Sequence, residues 1–313
     1  MSLSCSIGIM AYNEERNIGQ LLEALIRQRT KNVCLREMIV VSSGCTDNTE
    51  AIVRQWSLLD RRVRLLVQSK REGKASAVNM YLNQTTEKIA VLCSADLMPE
   101  PDALERLLAP FADPEVGMTT ARPVPVNDPK TFMGFAAHML WGLHHRLNQT
   151  RFKAGEMIAF RKIFERIPYH TAVDEASIEP VIRGQGYKAA YVPDAIVHNK
   201  GPETLKDFLS QRRRIYAGHL SVRDTLGYSV STMSGVKILK MVLGDLDWHP
   251  RQFAWTWAVA GLEVYGRILG QRDYKLQRNH TVWEIAKTTK QVGKEFAGAR
   301  ALAAGAAAGR STR

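Results

Sequence analysis

Short apolar runs alternate with amphipathic stretches through the first third of the chain. The runs have the length and burial pattern of strands, and the stretches between them carry apolar residues at helical spacing. In the stretch 17–29, Ile18, Leu21, Leu22 and Leu25 share one helical face. This alternation predicts βαβ units, and therefore an α/β fold with a mostly parallel central sheet flanked by helices. The predicted strands are residues 6–11, 37–41, 63–67 and 89–93.

The alternation becomes less regular from Pro101 onward. Helices are predicted at residues 102–111, 131–148 and 175–184, and strands at 117–122, 153–160 and 189–197. After Gly201 the pattern is helical to about residue 291. The alanine-rich and glycine-rich end predicts a disordered tail. We therefore expect an α/β domain over residues 1–218, a helical region over 219–296 and the tail over 297–313.

Composition and charge exclude several classes of protein. No window holds the roughly 18 apolar residues of a membrane-spanning helix, and the N-terminus has no basic stretch followed by a long apolar run. The 4 cysteines show no metal-ligand spacing, which fits a reducing cytoplasm. The net charge is +12, concentrated after residue 200, and it favours phosphate-bearing partners. The chain shows no recognisable RRM, zinc-finger or helix-turn-helix signature, so we expect no nucleic-acid partner.

The segments that follow the four predicted strands carry the candidate chemistry. Ligands of parallel sheets bind beyond the carboxyl ends of the strands. Tyr12 and Glu14 follow the first strand, Arg71 and Lys74 lie before a helix start, and Asp96 follows the fourth strand. Cations near a helix start favour an anion, and a carboxylate suits a divalent cation that bridges a diphosphate. Helix caps and loops would explain each segment alone, but four at one sheet edge predict a phosphorylated ligand.

The order of these motifs resembles that of family 2 glycosyltransferases with the GT-A fold. The likeness covers about residues 4–218 and rests on SIGIMAYNEERNIGQLLEAL, MIVVSSGCTDNT, REGKASAVN, SADLMPEP, VDEASIEPVIRGQGY and QRRRIYAGH. It implies an inverting, metal-dependent hexosyl transfer from a nucleoside diphosphate sugar, usually UDP-linked, with Mg²⁺ or Mn²⁺. The residues that it places at the nucleotide are Ala11, Tyr12, Glu14, Ser43, Arg71, Lys74, Ala95 and Asp96.

Asp96 matches the last aspartate of the family's DxD motif, which touches the metal. Ser94 stands at the first position of that motif and Ser43 at that of a base-reading aspartate. His198 matches a position that supplies a metal ligand in some members, and a structural role is equally open for it. The replaced carboxylates leave a second hypothesis, a non-catalytic protein that binds sugar nucleotides or scaffolds an assembly. Retention of Asp96 favours the enzyme.

The resemblance also names the reacting groups. Glu175 aligns with the catalytic base of the family, with Asp174 as its substitute because the order of the two acids is reversed here. Gln211 and Arg214 match the QxxRW motif, which binds the acceptor end and the diphosphate. Ile215 replaces the tryptophan of that motif, which argues against a processive polymerase.

The helical region has the composition of helices that lie in a lipid interface. Residues 252–262 are uncharged but span only about 16 Å as a helix, too short to cross a hydrocarbon core of about 30 Å. Trp248, Trp255, Trp257 and Trp283 lie near several lysines and arginines. A helical core or a dimer surface would also explain them. We expect peripheral contact with the cytoplasmic face of the cell membrane and a lipid-linked or growing glycan acceptor, as in polysaccharide or glycolipid biosynthesis. A soluble enzyme with a protein or small-molecule acceptor is the alternative.

Overall fold

The fold centres on one mixed sheet of eight strands with helices on both faces. The computed structural model describes residues 2–169, 173–228, 230, 235–244, 246–278, 289 and 292. The strands are Leu3–Ala11 (β1), Val33–Ser43 (β2), Val63–Gln68 (β3), Ile89–Ser94 (β4), Met98–Pro99 (β5), Val116–Pro125 (β6), Met157–Arg161 (β7) and Lys188–Asn199 (β8). The helices are Ile18–Ile26 (α1), Thr49–Leu59 (α2), Lys74–Gln84 (α3), Ala103–Leu108 (α4), Phe132–Asn148 (α5), Asp174–Gly184 (α6), Leu205–Leu226 (α7), Gly235–Gly244 (α8) and Pro250–Lys275 (α9).

The strand order is β3-β2-β1-β4-β7-β6-β8-β5. Strands β3, β2, β1 and β4 are parallel, which confirms the α/β class expected from the first third of the sequence. Strand β7 then runs antiparallel to β4, and β6 runs antiparallel to β7. Strand β8 is parallel to β6, and the short β5 closes the edge. The first half of the sheet is therefore parallel as predicted, and in the second half β7 and β5 run antiparallel to their neighbours.

Several elements differ from the sequence prediction: β2, for example, spans Val33–Ser43 rather than 37–41. Three further differences have local reasons. The strand expected at 153–160 begins only at Met157, and residues 153–156 line a cavity instead. The helix expected at 102–111 ends at Leu108 and continues as a 3₁₀ turn, Ala109–Ala112, because Pro110 has no backbone N–H to donate. The two-residue strand β5 was not predicted because it is too short to show a period.

Apolar residues on both faces of the sheet form the core. Ile7 and Ile9 face α1, and Ile39 and Val41 of β2 belong to the other layer with α3. Gly8 lies against Tyr81: a Cβ at Gly8 would stand 2.5 Å from the Tyr81 ring. The Tyr81 hydroxyl donates to the Ser6 carbonyl at 3.0 Å. Helix α3, which begins at the sheet edge, is therefore fixed tightly on β1.

The helices after β8 pack on the α/β part and on each other. Helix α7 crosses α9 at Gly266 and Gly270, where added Cβ atoms would meet Arg212 and the Arg213 carbonyl at 2.7 and 2.6 Å. The expected boundary after residue 218 falls inside α7, so that division stays a prediction. Trp283 and the predicted tail at 297–313 lie outside the described residues. Among the described helices, none is both long and apolar enough to cross a membrane.

Candidate active site

One deep cavity of about 1020 Å³ opens at the carboxyl ends of the parallel strands. The predicted site residues that line it are Ala11, Tyr12, Glu14, Ser43, Arg71, Lys74, Ala95, Asp96, Asp174, Glu175, Gln211 and Arg214. Residues of helix α5 and residues 153–156 line the same cavity. His198 does not line this cavity. Its Nε2 lies 3.1 Å from the Glu100 carboxylate instead. The fold thus brings together every predicted site residue except His198.

The loop after β1 is held by the segment that leads into α2. The Asn13 side chain accepts from the Thr46 backbone N–H at 2.8 Å and donates to the Thr46 hydroxyl at 3.1 Å. The Glu14 backbone N–H donates to the Thr49 hydroxyl at 2.8 Å, and the Glu14 carboxylate accepts from Asn17 at 2.9 Å. Tyr12 therefore lines the cavity from a turn that these hydrogen bonds hold in place. The buried Glu14 side chain stabilises the same turn.

Gly44 brings the loop after β2 onto the loop before α3. It has a φ of 65°, and a Cβ there would stand 2.6 Å from the Arg71 nitrogen. This close approach requires glycine. Arg71 then lies with its guanidinium carbon 4.0 Å from the centre of the Tyr12 ring, a cation–π contact. The neighbouring Ser43 hydroxyl is buried in the cavity wall and has no hydrogen-bond partner in the described part of the chain, so it is available to a ligand.

Lys74 opens helix α3, and its ammonium forms an ion pair with Asp174 at 3.0 Å. Asp174 is the first residue of helix α6, where the helix dipole favours its negative charge. Burial opposes the charge on Lys74, but the carboxylates of Asp174 and Glu175 raise its pKa above the usual range. Lys74 thus stays protonated beside the first turn of α3, whose backbone N–H groups also favour an anion.

Glu175 stands in a different environment from its neighbour Asp174. Burial and the adjacent Asp174 raise the pKa of Glu175 to about 8. Protonated Glu175 donates a hydrogen bond to Asp174, which stabilises the neutral form further. Asp174 forms an ion pair with Lys74. Glu175 instead has a pKa near neutral pH, as a general base requires.

Glu156 is the site residue that sequence reasoning left without a role. Strands β4 and β7 pair antiparallel, with Cys93 opposite Met157 as the last registered pair. Ser94 and Glu156 are the next residues beyond that pair, and both line the cavity. The residue just before β7 thus brings a carboxylate close to the serine that replaces the expected aspartate. Burial and then Asp96 raise the pKa of Glu156, and burial raises that of Asp96. The only sequence signal was a lone glutamate before an apolar run.

Asp96 and Glu156 are suited to bind a divalent cation that is also coordinated by a phosphate-bearing ligand. Two neighbouring carboxylates of like charge are costly to ionise together, and a cation relieves that cost. Mg²⁺ commonly binds one or two carboxylates and completes its shell with phosphate oxygens and water. No group of three or more His, Cys, Asp or Glu side chains within the described ranges could hold a metal by itself.

Some side chains of the QRRRI segment line the cavity, and one packs between helices α7 and α9. Gln211, Arg212, Arg214 and Ile215 line the cavity. Arg213 instead binds buried Asp273 of α9, with one contact at 2.6 Å, so it holds the two helices together. Burial lowers the pKa of Arg214, which the carboxylates of Glu175 and Glu156 oppose. One face of α7 therefore lines the cavity, and another packs against α9.

The chain matches the family model described as glycosyl transferase family 2 over residues 6–179, more than half of its length. It is 30% identical over 105 residues to an undecaprenyl-phosphate 4-deoxy-4-formamido-L-arabinose transferase from Proteus mirabilis, covering 33% of this chain and 32% of the relative. It is 26% identical over 229 residues to an N-acetylglucosaminyltransferase from Rhizobium meliloti, covering 66% of this chain and 53% of the relative. The chain therefore spans between a third and about half of these relatives.

A solved structure shares the fold over nearly the whole chain. It is a mannosyltransferase from Pyrobaculum calidifontis in complex with GDP-Man and Mn²⁺, with a TM-score of 0.57 and 22% identity. The match covers 93% of this chain and 87% of that one. This likeness extends to the helices after β8.

Proposed function

The chain belongs to glycosyl transferase family 2, and from this premise we propose that it is an inverting glycosyltransferase with a nucleoside diphosphate sugar as donor. The expected donor is UDP-linked, and the acceptor is lipid-linked or a growing glycan. The mannosyltransferase of similar fold binds GDP-Man, which makes GDP-sugars the alternative donors.

One observation carries the proposal: the same cavity holds cations suited to a diphosphate and a carboxylate, Glu175, that titrates near neutral pH. Lys74 and the first turn of α3 suit the diphosphate, and Tyr12 and Ser43 suit the nucleoside. Direct displacement at the sugar needs a base on the face opposite the leaving diphosphate. We assign that role to Glu175, which removes the proton of the attacking acceptor hydroxyl. Asp174 holds Lys74 in place.

A divalent cation would be held by Asp96 and Glu156 and would supply charge neutralisation to the leaving diphosphate. Arg71 and Arg214 would add to that neutralisation from the protein, since both line the cavity. Because Arg71 comes from the loop before α3 and Arg214 from α7, we expect the donor to bind between the sheet edge and α7.

Thermal unfolding with a panel of nucleoside diphosphates and sugar nucleotides tests the donor site. A ligand at 100 times its Kd stabilises a protein by about 2.7 kcal/mol. We expect a Mn²⁺-dependent increase with UDP and a larger one with a single UDP-sugar. Asp96→Asn should remove the metal-dependent part, and Asp194→Asn, at an exposed position outside the cavity, should not. Folded protein that no nucleotide stabilises would refute the proposal and support the scaffold hypothesis.

We also propose that α8 and the start of α9 contact the membrane. Leu239, Leu243 and Trp248 are exposed at 47%, 50% and 79%, and Lys237 and Lys240 are exposed beside them. Apolar and aromatic side chains flanked by lysines are typical of helices in an anionic lipid interface. On the same helix Ile238 lines the cavity, so a lipid-linked acceptor would have a short path to the site.

Binding to vesicles tests this surface. The double variant Leu243→Ser/Trp248→Ala should reduce partition onto vesicles with anionic lipid by about tenfold or more, because each large apolar side chain contributes about 1.5–3 kcal/mol when buried. Co-flotation measures the bound fraction. Leu58→Ser is the matched control, since Leu58 is 87% exposed on α2. Equal losses in the control and the double variant would contradict a defined membrane surface.

A further inference from the structure

A second group of cations, Lys153, Arg212 and Arg267, lines the same cavity. Lys153 precedes β7, and its backbone N–H is fixed by the Asn148 side chain at 2.7 Å. The Lys153 ammonium faces the cavity, and no residue in the described ranges gives it a hydrogen bond or an ion pair. Burial, followed by the charge of Arg212, lowers the pKa of Lys153 to about 8. A half-buried cation without a partner is costly, so an anionic ligand would be favourable at this position.

Arg212 of α7 and Arg267 of α9 extend this group. They share one carboxylate, Glu263, at 3.8 and 3.1 Å respectively. The Nε of Arg212 is buried and has no hydrogen-bond partner in the part of the chain that the structure describes. Three cations therefore meet a single carboxylate of their own.

The nearby titratable side chains do not restore the balance. His219 and His144 stay neutral, since burial and then Lys153 lower their pKa values, that of His144 to about 3. Glu175 carries little charge at pH 7, because its pKa is raised to about 8. Glu179 is engaged by Arg183 at 2.9 Å and by the Tyr228 hydroxyl. The positive excess therefore remains while Glu175 is protonated and Glu179 is balanced by Arg183.

The diphosphate of the donor does not account for this excess. Its cations are Arg71, Lys74 and Arg214, and Lys74 is the one that the Asp174–Glu175 pair holds at the sheet edge. Lys153 comes instead from the segment that joins α5 to β7, and Arg267 from α9. Arg212 and Arg214 share α7, but Lys153 and Arg267 come from elements that contribute no cation to the first group. The six cations of the two groups therefore surround one cavity, more than one diphosphate accounts for.

We propose that Lys153, Arg212 and Arg267 form a subsite for a phosphate group of the acceptor. The inference rests on the proposed function and deepens it by giving the acceptor a charge. Guanidinium groups match phosphate with paired N–H donors, and an ammonium adds a point charge. The phosphate belongs either to a lipid carrier or to a water-soluble phosphorylated compound, and both present the same chemistry to these side chains.

Isothermal titration with two phosphates separates these sources. The probes are farnesyl phosphate and glycerol 3-phosphate, with farnesol and glycerol as their uncharged matches, each added with and without saturating UDP and Mn²⁺. We expect phosphate binding that UDP does not displace. Preference for farnesyl phosphate assigns the subsite to a lipid phosphate, and preference for glycerol 3-phosphate assigns it to a soluble acceptor. Equal affinity for phosphates and alcohols, or displacement by UDP, overturns the subsite.

Lys153→Met should weaken phosphate binding at least about tenfold, because a hydrogen bond to a charged group is lost. Lys153→Arg should retain it. Since methionine removes an unpaired half-buried charge at similar size, the melting temperature of Lys153→Met should equal or exceed that of the native protein. A lower melting temperature with unchanged phosphate affinity would overturn the subsite and make Lys153 structural. Lys162→Met, at a half-buried lysine outside the cavity, is the matched control.

The same samples tell the two proposals apart. If UDP binds and neither phosphate binds, the subsite is wrong and the donor site stands. If a phosphate binds through Lys153 and no nucleotide binds, the donor assignment is wrong and the subsite stands as an anion site.

Discussion

Glu175→Gln should lower the rate of sugar transfer by about 10²–10⁴-fold, the usual contribution of a general base. Glutamine keeps the size and polarity of the side chain, so the cavity and the Lys74–Asp174 pair should persist. Nucleotide affinity should therefore stay within about twofold. The measurement is the initial rate with the donor identified by thermal stabilisation, alongside the Kd for the nucleotide. A rate within about threefold of the native value would refute Glu175 as the base.

The pH dependence of transfer gives an independent check on Glu175. Its pKa is raised to about 8 by burial and by Asp174, and a base acts only when deprotonated. The rate should therefore rise with pH up to about 8 and level off above it. Folding stability should respond in the opposite direction: the raised pKa favours the folded state at low pH, and this contribution is lost as pH rises through 8. In Glu175→Gln the acid limb should vanish from whatever rate remains; a limb that persists there would assign it to another group.

The parallel half of the sheet and its ligand edge could be predicted because they depend on local patterns. Each strand ends in a polar segment, and parallel strands place their carboxyl ends at one edge. Tyr12, Lys74 and Asp96 therefore meet in the cavity as expected. Because the order of Asp174 and Glu175 is reversed, the sequence alone does not show which of the two is the catalytic base. The structure separates them, because Asp174 is paired with Lys74 and Glu175 is not.

The remaining site residues depend on contacts between distant segments. Glu156 lies close to Ser94 only because β7 runs antiparallel to β4, and no periodicity in the sequence shows that reversal. Likewise Lys153 and Arg267 lie more than one hundred residues apart, and only the packing of α9 on α7 places them around one cavity. The sequence alone does not show which of Arg212 and Arg213 faces the cavity. The structure does, because Arg213 binds Asp273 of α9 and Arg212 lines the cavity.

Lys74→Met should destabilise the fold by about 3–5 kcal/mol, because it leaves Asp174 charged and without its cation. The Asp174 side chain is 5% exposed, so water cannot replace the lysine. Asp174→Asn in the same chain should recover most of the loss, since a neutral amide is far less costly to bury than a carboxylate. Equilibrium unfolding in urea measures all four members of this double-mutant cycle.

The double variant also separates stability from function. If Lys74 only neutralised Asp174, Lys74→Met/Asp174→Asn would regain nucleotide affinity together with stability. We expect it to regain stability alone, because the Lys74 ammonium at the first turn of α3 is also one of the cations assigned to the diphosphate. Nucleotide affinity should stay at least about tenfold weaker than in the native protein, as for the loss of a hydrogen bond to a charged group. Recovery of both would make Lys74 a structural counter-ion and move diphosphate binding to Arg71 and Arg214.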